Sequence, residues 1–310
     1  MQAVYLAPHS TFPDSFPSNT LFGAICHGLE ELGQDVGALI DAYRDATPFL
    51  ISSCFPYLGN GKKKGLFPMP LLPPHKIDGL DFEKSKKLNK VRWVDNEIFT
   101  GFCSGNLLIN ALVRDLEKYQ FDPAAGILSM SPPGPGWRCA EVDIPHNQIN
   151  RKSTMSEQFY HARGTHFNNC GLWFLIDFQD RSWESAVMGS LRLLADKGIG
   201  SRRSTGQGSF GLSIEQFPFP LPDKAPYTMT LSRMLPDTLA PFGGEVWYDL
   251  VPVRGRTTDG MAKQQVMMLS EGSLFKSLGT GRYGRIARVR EDPPMVEYGI
   301  AFPVGMRCLG

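Results

Sequence analysis

The chain has 310 residues, enough for two domains of ordinary size, and its hydrophobic content of 42% and charged content of 20% are ordinary for a folded soluble protein. The formal net charge is only +1, so any affinity for nucleic acid must come from local patches and not from the field of the whole molecule. Six cysteines are scattered without a CxxC pair, which fits reduced thiols in a cytosol better than a disulfide framework or a zinc site. No signal peptide opens the chain and no apolar run is long enough to span a bilayer, so we expect a cytoplasmic protein.

The first elements predicted along the chain are a strand at residues 3–6 and a helix that begins at Ser18 or Asn19. Either residue is placed to cap that helix, and the apolar residues of one face recur until Gly33 ends it. A second short helix follows at about residues 36–43. Because Ser18, Asn19 and Thr20 are all polar, they are also candidate contacts for a ligand.

Residues 49–150 are interrupted by prolines, which we expect to exclude long regular elements from this stretch. Within it, residues 62–92 hold nine Lys or Arg against three Asp or Glu. Two interpretations of that segment stay open. It is either a projecting basic arm or hairpin that contacts nucleic acid, followed by apolar residues able to wedge between bases, or a solvated surface.

The next predicted elements are a strand over residues 171–178, a helix over 182–197 capped by Ser182, and a strand over 210–214. With the first strand and helix, this order is the ferredoxin-like or RRM-type arrangement, with a large insertion between its halves. We therefore predict an α+β protein of tandem ferredoxin-like domains. The first spans residues 1–216 with its insertion at about 49–150, residues 217–222 form a linker, and residues 223–310 form a mainly β, degenerate ferredoxin-like domain.

A glycine-rich loop lies between that helix and its following strand. Five glycines fall within residues 198–211, and no carboxylate lies between Lys197 and Glu215. Glycines let main-chain N–H groups approach an anion closely, and two neighbouring arginines can clamp phosphate oxygens. The predicted phosphate contacts are Gly198, Gly200, Ser201, Arg202, Arg203, Ser204, Thr205, Gly206 and Gly208.

The order helix, loop, strand distinguishes this loop from the common nucleotide sites. A Walker A loop and a dinucleotide-binding turn both run strand, loop, helix, and the Walker lysine is missing here. A nucleotide pocket at a helix N-terminus is thus disfavoured. The alternative is a flexible glycine turn with incidental arginines.

Three further groups of residues carry hypotheses. His161 and His166 are five residues apart in a predicted loop, but no carboxylate or cysteine lies nearby, so we expect no metal site. Residues 279–290 hold four arginines, three glycines, an exposed-looking Tyr283 and no acid, which suits either single-stranded RNA or the edge of a partner subunit. The weaker candidates for RNA contact in the C-terminal part are Arg254, Arg256, Arg282 and Arg285.

Several of these segments resemble a known family. The loop at residues 198–210 resembles the C-terminal G-loop of the RAMP superfamily of CRISPR proteins. Residues 17–25, 52–57, 67–70, 271–273 and 298–303 are similar to successive segments of the handle-binding subunit of type III-A (Csm) complexes. Residues 147–152 resemble the RAMP N-x-I-D-R element, with Asn150 in place of the usual aspartate, and make Asn150, Arg151 and Lys152 further RNA contacts.

The resemblance implies a non-catalytic, prokaryotic subunit that grips the repeat-derived 5′ handle of the crRNA. It implies docking on the large polymerase/cyclase-domain subunit and on a neighbouring RAMP backbone subunit, without a cofactor or a membrane. Some RAMP relatives instead cleave precursor crRNA without a metal, using a histidine near the first helix. His27 or His9 would then be the base, although neither has an evident acid partner in the sequence.

Overall fold

A computed structural model of the chain confirms the α+β class. The structure describes residues 1–12, 16–59, 61–73, 82–132, 134–200, 206–219, 225–255, 261–279, 282–292 and 294–307. The helices are α1 (Ser18–Glu31), α2 (Val36–Asp45), α3 (Phe82–Leu88), α4 (Asn96–Ser104), α5 (Ile109–Arg114) and α6 (Glu184–Lys197).

Strands outnumber helices along the described part of the chain. The strands before residue 217 are β1 (Gln2–Pro8), β2 (Phe49–Ile51), β3 (Phe55–Leu58), β4 (Lys64–Pro68), β5 (Trp93–Asp95), β6 (Gln120–Asp122), β7 (Ile127–Ser129), β8 (Arg138–Ile149), β9 (Ser156–Asn168), β10 (Cys170–Phe178) and β11 (Phe210–Gln216). Those after it are β12 (Tyr227–Thr230), β13 (Leu250–Val253), β14 (Val266–Leu269), β15 (Leu274–Lys276), β16 (Ala287–Arg290), β17 (Met295–Glu297) and β18 (Pro303–Met306).

One large sheet organises the N-terminal part. Its described strands follow the order β11-β1-β10-β3-β4-β5-β7-β6, and β2 also pairs with β10. The first four pair antiparallel, with Tyr5 opposite both Trp173 and Ser213. β10 is an interior strand, paired with β1 on one side and with β2 and β3 on the other, and its residues 172–176 are buried. The predicted strand–helix–glycine loop–strand order is confirmed, and Gly198 ends α6 as predicted.

Helices α1 and α6 cover one face of this sheet and pack closely on each other. The Ser190 hydroxyl donates to the carbonyl oxygen of Ile25 at 2.8 Å. A Cβ at Gly28 would overlap that same hydroxyl, so the close approach requires glycine. The predicted caps are wrong in both helices. Pro17 precedes α1 without a side-chain cap, and before α6 it is Asp180 that accepts from the backbone N–H of Ser182.

The insertion contains longer elements than the prolines predict. Strands β8 and β9 form a hairpin of 12 and 13 residues, with Pro145 inside β8. A proline is tolerated there because the hairpin is two-stranded, so one edge of each strand needs no hydrogen-bonded neighbour. The projecting hairpin is therefore residues 138–168, whereas residues 62–92 contain β4 of the large sheet and the short helix α3.

The C-terminal part shares a hydrophobic core with the N-terminal part. Its sheet β15-β12-β18 contributes buried residues to the same cluster as α1 and α4. Tyr298 stacks on Phe22 of α1, with ring centroids 4.8 Å apart. Phe217 and Phe219, at the start of the predicted linker, pack on Phe67 instead of hanging free. The division at residues 217–222 stays a prediction.

The core tyrosines are expected to make the fold sensitive to alkali. Burial raises the pKa of Tyr298, and it raises that of Tyr43 well above its usual range. In the unfolded chain both phenols ionise near pH 10 and release protons that the folded chain retains, so the free energy of unfolding falls as pH rises above that point. We expect Tyr298→Phe to make this fall smaller by about 1 kcal/mol between about pH 10 and 11, because the unfolded phenol is only partly ionised there.

Denaturant titrations across pH measure that slope directly. Tyr298→Phe should also cost about 1 kcal/mol near pH 8, because it removes the hydroxyl that accepts from the Ile51 N–H at 3.4 Å. The control is Tyr248→Phe, whose ring is half-exposed and should leave the slope unchanged. An unaltered slope in Tyr298→Phe would contradict the assignment of alkali sensitivity to this phenol.

Candidate nucleic-acid interface

The base of the glycine-rich loop is closed by main-chain hydrogen bonds. Ile199 donates its N–H to the Gly208 carbonyl oxygen at 2.9 Å, and Gly208 donates to the Thr11 carbonyl oxygen at 3.2 Å. Gly198, Gly200, Gly206 and Gly208 all have positive φ. The loop is therefore shaped by glycine at both of its ends. Its predicted centre, Ser201, Arg202, Arg203, Ser204 and Thr205, lies outside the described residues.

The segment between β1 and α1 forms one wall beside this loop. His9 donates its N–H to the Ser209 carbonyl oxygen at 2.9 Å, and Ser209 donates its own N–H to the Ser10 hydroxyl at 3.2 Å. The His9 ring is exposed and lies beside Gly211. Residues 9–12 thus follow the glycine loop from its base onto β11.

The base of the β8–β9 hairpin is bonded to the same segment. Phe12 and Thr165 exchange two main-chain hydrogen bonds, of 3.0 and 2.7 Å. The buried Phe12 ring packs edge-on against Phe16, Phe167 and Phe210, which belong to the entry of α1, to β9 and to β11. Such burial of one aromatic ring contributes about 1.5–3 kcal/mol to stability. It also fixes the hairpin relative to the glycine loop.

A side-chain contact joins the hairpin to the glycine loop as well. The Gln207 Nε2 atom lies 3.3 Å from Nε2 of His146 on β8. His146 in turn stacks on Tyr160 of β9, with centroids 5.3 Å apart and planes 15° apart. The loop, residues 9–12 and the hairpin consequently form one continuous surface.

The hairpin tip, residues 147–160, extends away from the rest of the chain. All of its residues except the half-buried Asn150 are exposed. Four of them are large and apolar, and exposed by 47–68%: Ile149, Met155, Phe159 and Tyr160. Phe159 and Tyr160 alternate along β9 and so point to opposite faces of the hairpin. The tip thus offers an aromatic ring on each face.

The predicted contacts Asn150, Arg151 and Lys152 lie at this tip. Asn150 shapes the turn, because its Oδ1 accepts from the N–H groups of Lys152 and Ser153 and its Nδ2 donates to Glu157. Arg151 and Lys152 are exposed. Cations at the turn and aromatic rings further along the same hairpin are therefore exposed together. This arrangement suits a nucleic-acid strand, because phosphates pair with the cations while bases stack on the rings.

Two of the predicted contacts in α1 face inward. Ser18 is buried, and its hydroxyl accepts from the Arg233 N–H at 3.0 Å. Asn19 is buried too and donates to Glu297 at 3.0 Å. Both side chains are thus committed to holding the C-terminal part against α1. Thr20 is exposed.

The C-terminal arginines that the structure describes differ in their surroundings. Arg282 donates to the carbonyl oxygens of Tyr43 and Ala46, at the end of α2, so it holds that helix terminus. Arg254 and Arg285 are exposed, and Arg256 lies outside the described residues. The expectation of an exposed Tyr283 is wrong, because its ring is buried and its hydroxyl accepts from the Leu278 N–H at 2.9 Å.

The surroundings of three predicted histidines, His161, His166 and His27, differ from one another. His161 and His166 lie in β9 and not in a loop, opposite Pro145 and Ala140 of β8. Among the described residues, no group of three or more His, Cys, Asp or Glu side chains is placed to hold a metal ion. His27 faces outward on α1, where Nε2 lies 3.3 Å from Glu31 and Nδ1 lies 3.9 Å from Glu30. Within the same described residues, no helix combines the length and hydropathy needed to cross a bilayer.

The fold and this surface define an α+β protein whose glycine-rich loop links a helix to a strand and is supported by a projecting hairpin. No family model matches the chain. The chain is 26% identical over 314 residues to the CRISPR system Cms protein Csm4 of Thermococcus onnurineus (strain NA1), and the alignment covers 98% of this chain and 96% of that protein. The resemblance drawn from the motifs is thereby confirmed, and the chain is a homologue of that Csm4.

Solved structures extend the similarity to the fold. The chain matches a chain of a Csm3–Csm4 subcomplex from a type III-A CRISPR-Cas interference complex with a TM-score of 0.71 and 18% identity, covering 99% of this chain and 100% of that one. It matches a chain of a Csm1–Csm4 cassette in complex with AMPPNP with a TM-score of 0.63 and 22% identity, covering 98% and 97%. At these identities the matches support the architecture of the whole chain.

Proposed function

We propose that this chain is a non-catalytic RNA-binding subunit of a type III-A CRISPR ribonucleoprotein, acts in the prokaryotic cytoplasm in antiviral defence, and grips the 5′ handle of the crRNA. The observation that carries the proposal is the convergence of three elements on one surface. The glycine-rich loop, residues 9–12 and the β8–β9 hairpin are joined by direct hydrogen bonds. The sequence similarity to a Csm4, which covers 98% of this chain, supports the same function.

The glycine-rich loop would hold phosphates of the handle. Arg202 and Arg203 act as paired charge clamps, and the main-chain N–H groups from Gly198 to Gly208 bind phosphate oxygens as donors. Arg151, Lys152 and the aromatic rings of the hairpin tip take the adjoining nucleotides. Thr20 stands as a further contact, and Arg254, Arg256 and Arg285 as weaker ones. The nucleic-acid contact predicted for a projecting arm at residues 62–92 is proposed for the hairpin tip instead.

Two protein neighbours belong to the proposal. The similar chains were solved as a Csm1–Csm4 cassette and as a Csm3–Csm4 subcomplex. By analogy, this chain docks on a large polymerase/cyclase-domain subunit and on a RAMP backbone subunit, and caps the backbone next to the large subunit. The proposed architecture is tandem ferredoxin-like. The strand order β11-β1-β10-β3, with α1 and α6 on one face, supports it for the first domain.

Replacing both loop arginines tests the phosphate clamp. We expect Arg202→Ala with Arg203→Ala to weaken binding of an RNA that carries the cognate handle and to reduce the salt slope of the binding constant by about 1.4, since two fewer counterion sites are released from a single strand. Fluorescence anisotropy across a salt series gives both quantities. The matched control is Arg44→Ala with Arg181→Ala, two exposed arginines on α2 and before α6. A salt slope equal to that of the unchanged chain would refute the clamp.

A second candidate function is metal-independent cleavage of precursor crRNA, with His9 as the base. It is favoured by the exposed position of the His9 ring next to the glycine loop. His27 is the poorer candidate, because Glu30 and Glu31 beside it repel a phosphate. Cleavage at the repeat by the purified chain, lost in His9→Ala, would establish this function in place of the non-catalytic one. Intact precursor RNA that remains bound would exclude it.

A further inference from the structure

A second concave surface lies behind the hairpin base, away from the glycine loop. It is a cavity of about 670 Å³ between the entry of α1, the strands β3 and β5, and the base of the β8–β9 hairpin. Its wall at Thr165 is bonded to Phe12, whose neighbour Thr11 holds Gly208 of the glycine loop. Residues 11 and 12 therefore connect the wall of this cavity to the base of the glycine loop.

The walls of the cavity carry flat aromatic rings. Trp93, Trp137 and Phe167 line it and are each only partly buried. Arg92 also lines the cavity and lies over the Trp93 ring, with its guanidinium carbon 5.9 Å from the centroid. Rings and guanidinium planes of this kind are the surfaces on which unstacked nucleobases lie.

The floor of the cavity is polar and incompletely bonded. Glu271 accepts from the Ser53 hydroxyl through Oε1, and the Arg233 Nε atom lies 3.8 Å from that same oxygen. Nε of Arg233 is buried without a hydrogen-bond acceptor. Nε itself is out of reach of a ligand, but the side chains of Arg233 and Glu271 are 23% and 20% exposed. A ligand in the cavity can therefore meet the exposed parts of this guanidinium and of this carboxylate.

We infer that this cavity recognises a single unstacked guanine of the bound RNA, an inference that rests on the proposed function. Guanine presents acceptors, O6 and N7, on one edge, which match a guanidinium. Its N1–H and N2–H₂ groups donate from the other edge, which matches a carboxylate. Adenine lacks a donor at N1 and carries an amino group in place of O6, so it satisfies neither residue as well. Uracil offers one ring donor and no amino group.

The experiment compares RNAs on the unchanged full-length chain. The probes are an oligouridine and the same oligouridine with one central guanosine, adenosine or inosine. We expect guanosine to raise affinity about tenfold or more over adenosine, and inosine, which lacks the N2 amino group, to fall between them. Equal affinity for the guanosine and adenosine probes would overturn the inference. The cavity would then be a candidate binding site for a side chain of a partner protein.

A substitution then assigns the preference to the cavity floor. Glu271→Gln keeps the shape of the side chain but places a donor opposite the guanine amino group, so the ratio of guanosine to adenosine affinity should fall towards one. The ratio within each protein cancels any general effect on folding. Glu141→Gln removes a carboxylate from the cavity wall that is already 3.5 Å from Arg163, and should retain the ratio. A ratio that survives Glu271→Gln would place the recognition elsewhere and overturn the inference.

The outcomes separate this inference from the proposed function. If oligouridine itself does not bind, or binds without salt dependence, the proposed RNA-binding function fails. If it binds with a clear salt dependence and every probe binds equally, only the guanine pocket fails.

Discussion

Gly208→Ala is expected to destabilise the chain by about 3 kcal/mol and to abolish the ordered base of the glycine-rich loop. Gly208 has φ of +83°, which strains any residue with a side chain. In addition, a Cβ at this position would overlap the Ile199 carbonyl oxygen, which is main chain and has no freedom to turn away. Chemical denaturation gives the loss of stability, and anisotropy with handle RNA gives the loss of affinity.

Gly206→Ala is the matched control for this prediction. Gly206 has nearly the same φ, +80°, but no atom of the described residues lies within 4 Å of the Cβ that it would gain. Only the conformational strain remains, so we expect a cost of about 1 kcal/mol. If both variants lost the same stability, the contact between Gly208 and Ile199 would have no part in closing the loop.

Removing both rings of the hairpin tip is expected to have the largest effect on RNA affinity. Phe159→Ala with Tyr160→Ala deletes one exposed ring from each face of the hairpin, and stacking of a base on a ring contributes about 1–3 kcal/mol. A loss of about 30-fold or more in affinity should follow, while the free energy of unfolding changes little because neither ring is buried. Anisotropy and denaturation on the same samples check the two statements.

The control for the tip removes a comparable apolar area elsewhere. Leu239 and Tyr248 are also exposed, by 81% and 48%, in the C-terminal part. Leu239→Ala with Tyr248→Ala should leave RNA affinity unchanged. Equal losses of affinity in the two double variants would show that the tip has no particular part in binding RNA.

Local signals explain which parts of the fold were predictable. The sequence around Gly198 contains a helical apolar period, a glycine stop and an alternating strand in succession, and each of these acts within a few residues. The same holds for β10, whose run of aromatic and branched residues is typical of a central strand. These elements form where the local pattern places them, because burial and local preference agree.

The hairpin was missed because its stability does not come from a buried face. No residue of β8 is fully buried, and Pro145 counts against a strand. Ala140, Val142 and Ile144 do alternate with Glu141 and Asp143, but this period-2 signal is short and ends at the proline. The register comes from pairing along the whole length of the two strands. For the tip, the sequence signal was the pair of neighbouring aromatic residues Phe159 and Tyr160 in an otherwise polar segment.

Positions that depend on distant partners were equally hidden. Ser18 and Asn19 have the composition of a capping or ligand-binding pair, but their partners Arg233 and Glu297 lie more than two hundred residues away. Tyr283 sits in a glycine-rich, basic run, yet its ring packs on Phe275. In each case a tertiary contact overrides what the neighbours in sequence indicate.

The buried ring of Phe12 has a consequence for how the three RNA-facing elements move. Since this one side chain packs on the entry of α1, on β9 and on β11, the hairpin cannot swing without disturbing the anchor of the glycine loop. Opening any one of the three exposes the same aromatic surface to water, so they share a single cost of opening and behave as one cooperative unit. An RNA segment captured by the loop would therefore also restrain the hairpin and lower the entropy lost by the nucleotides that follow.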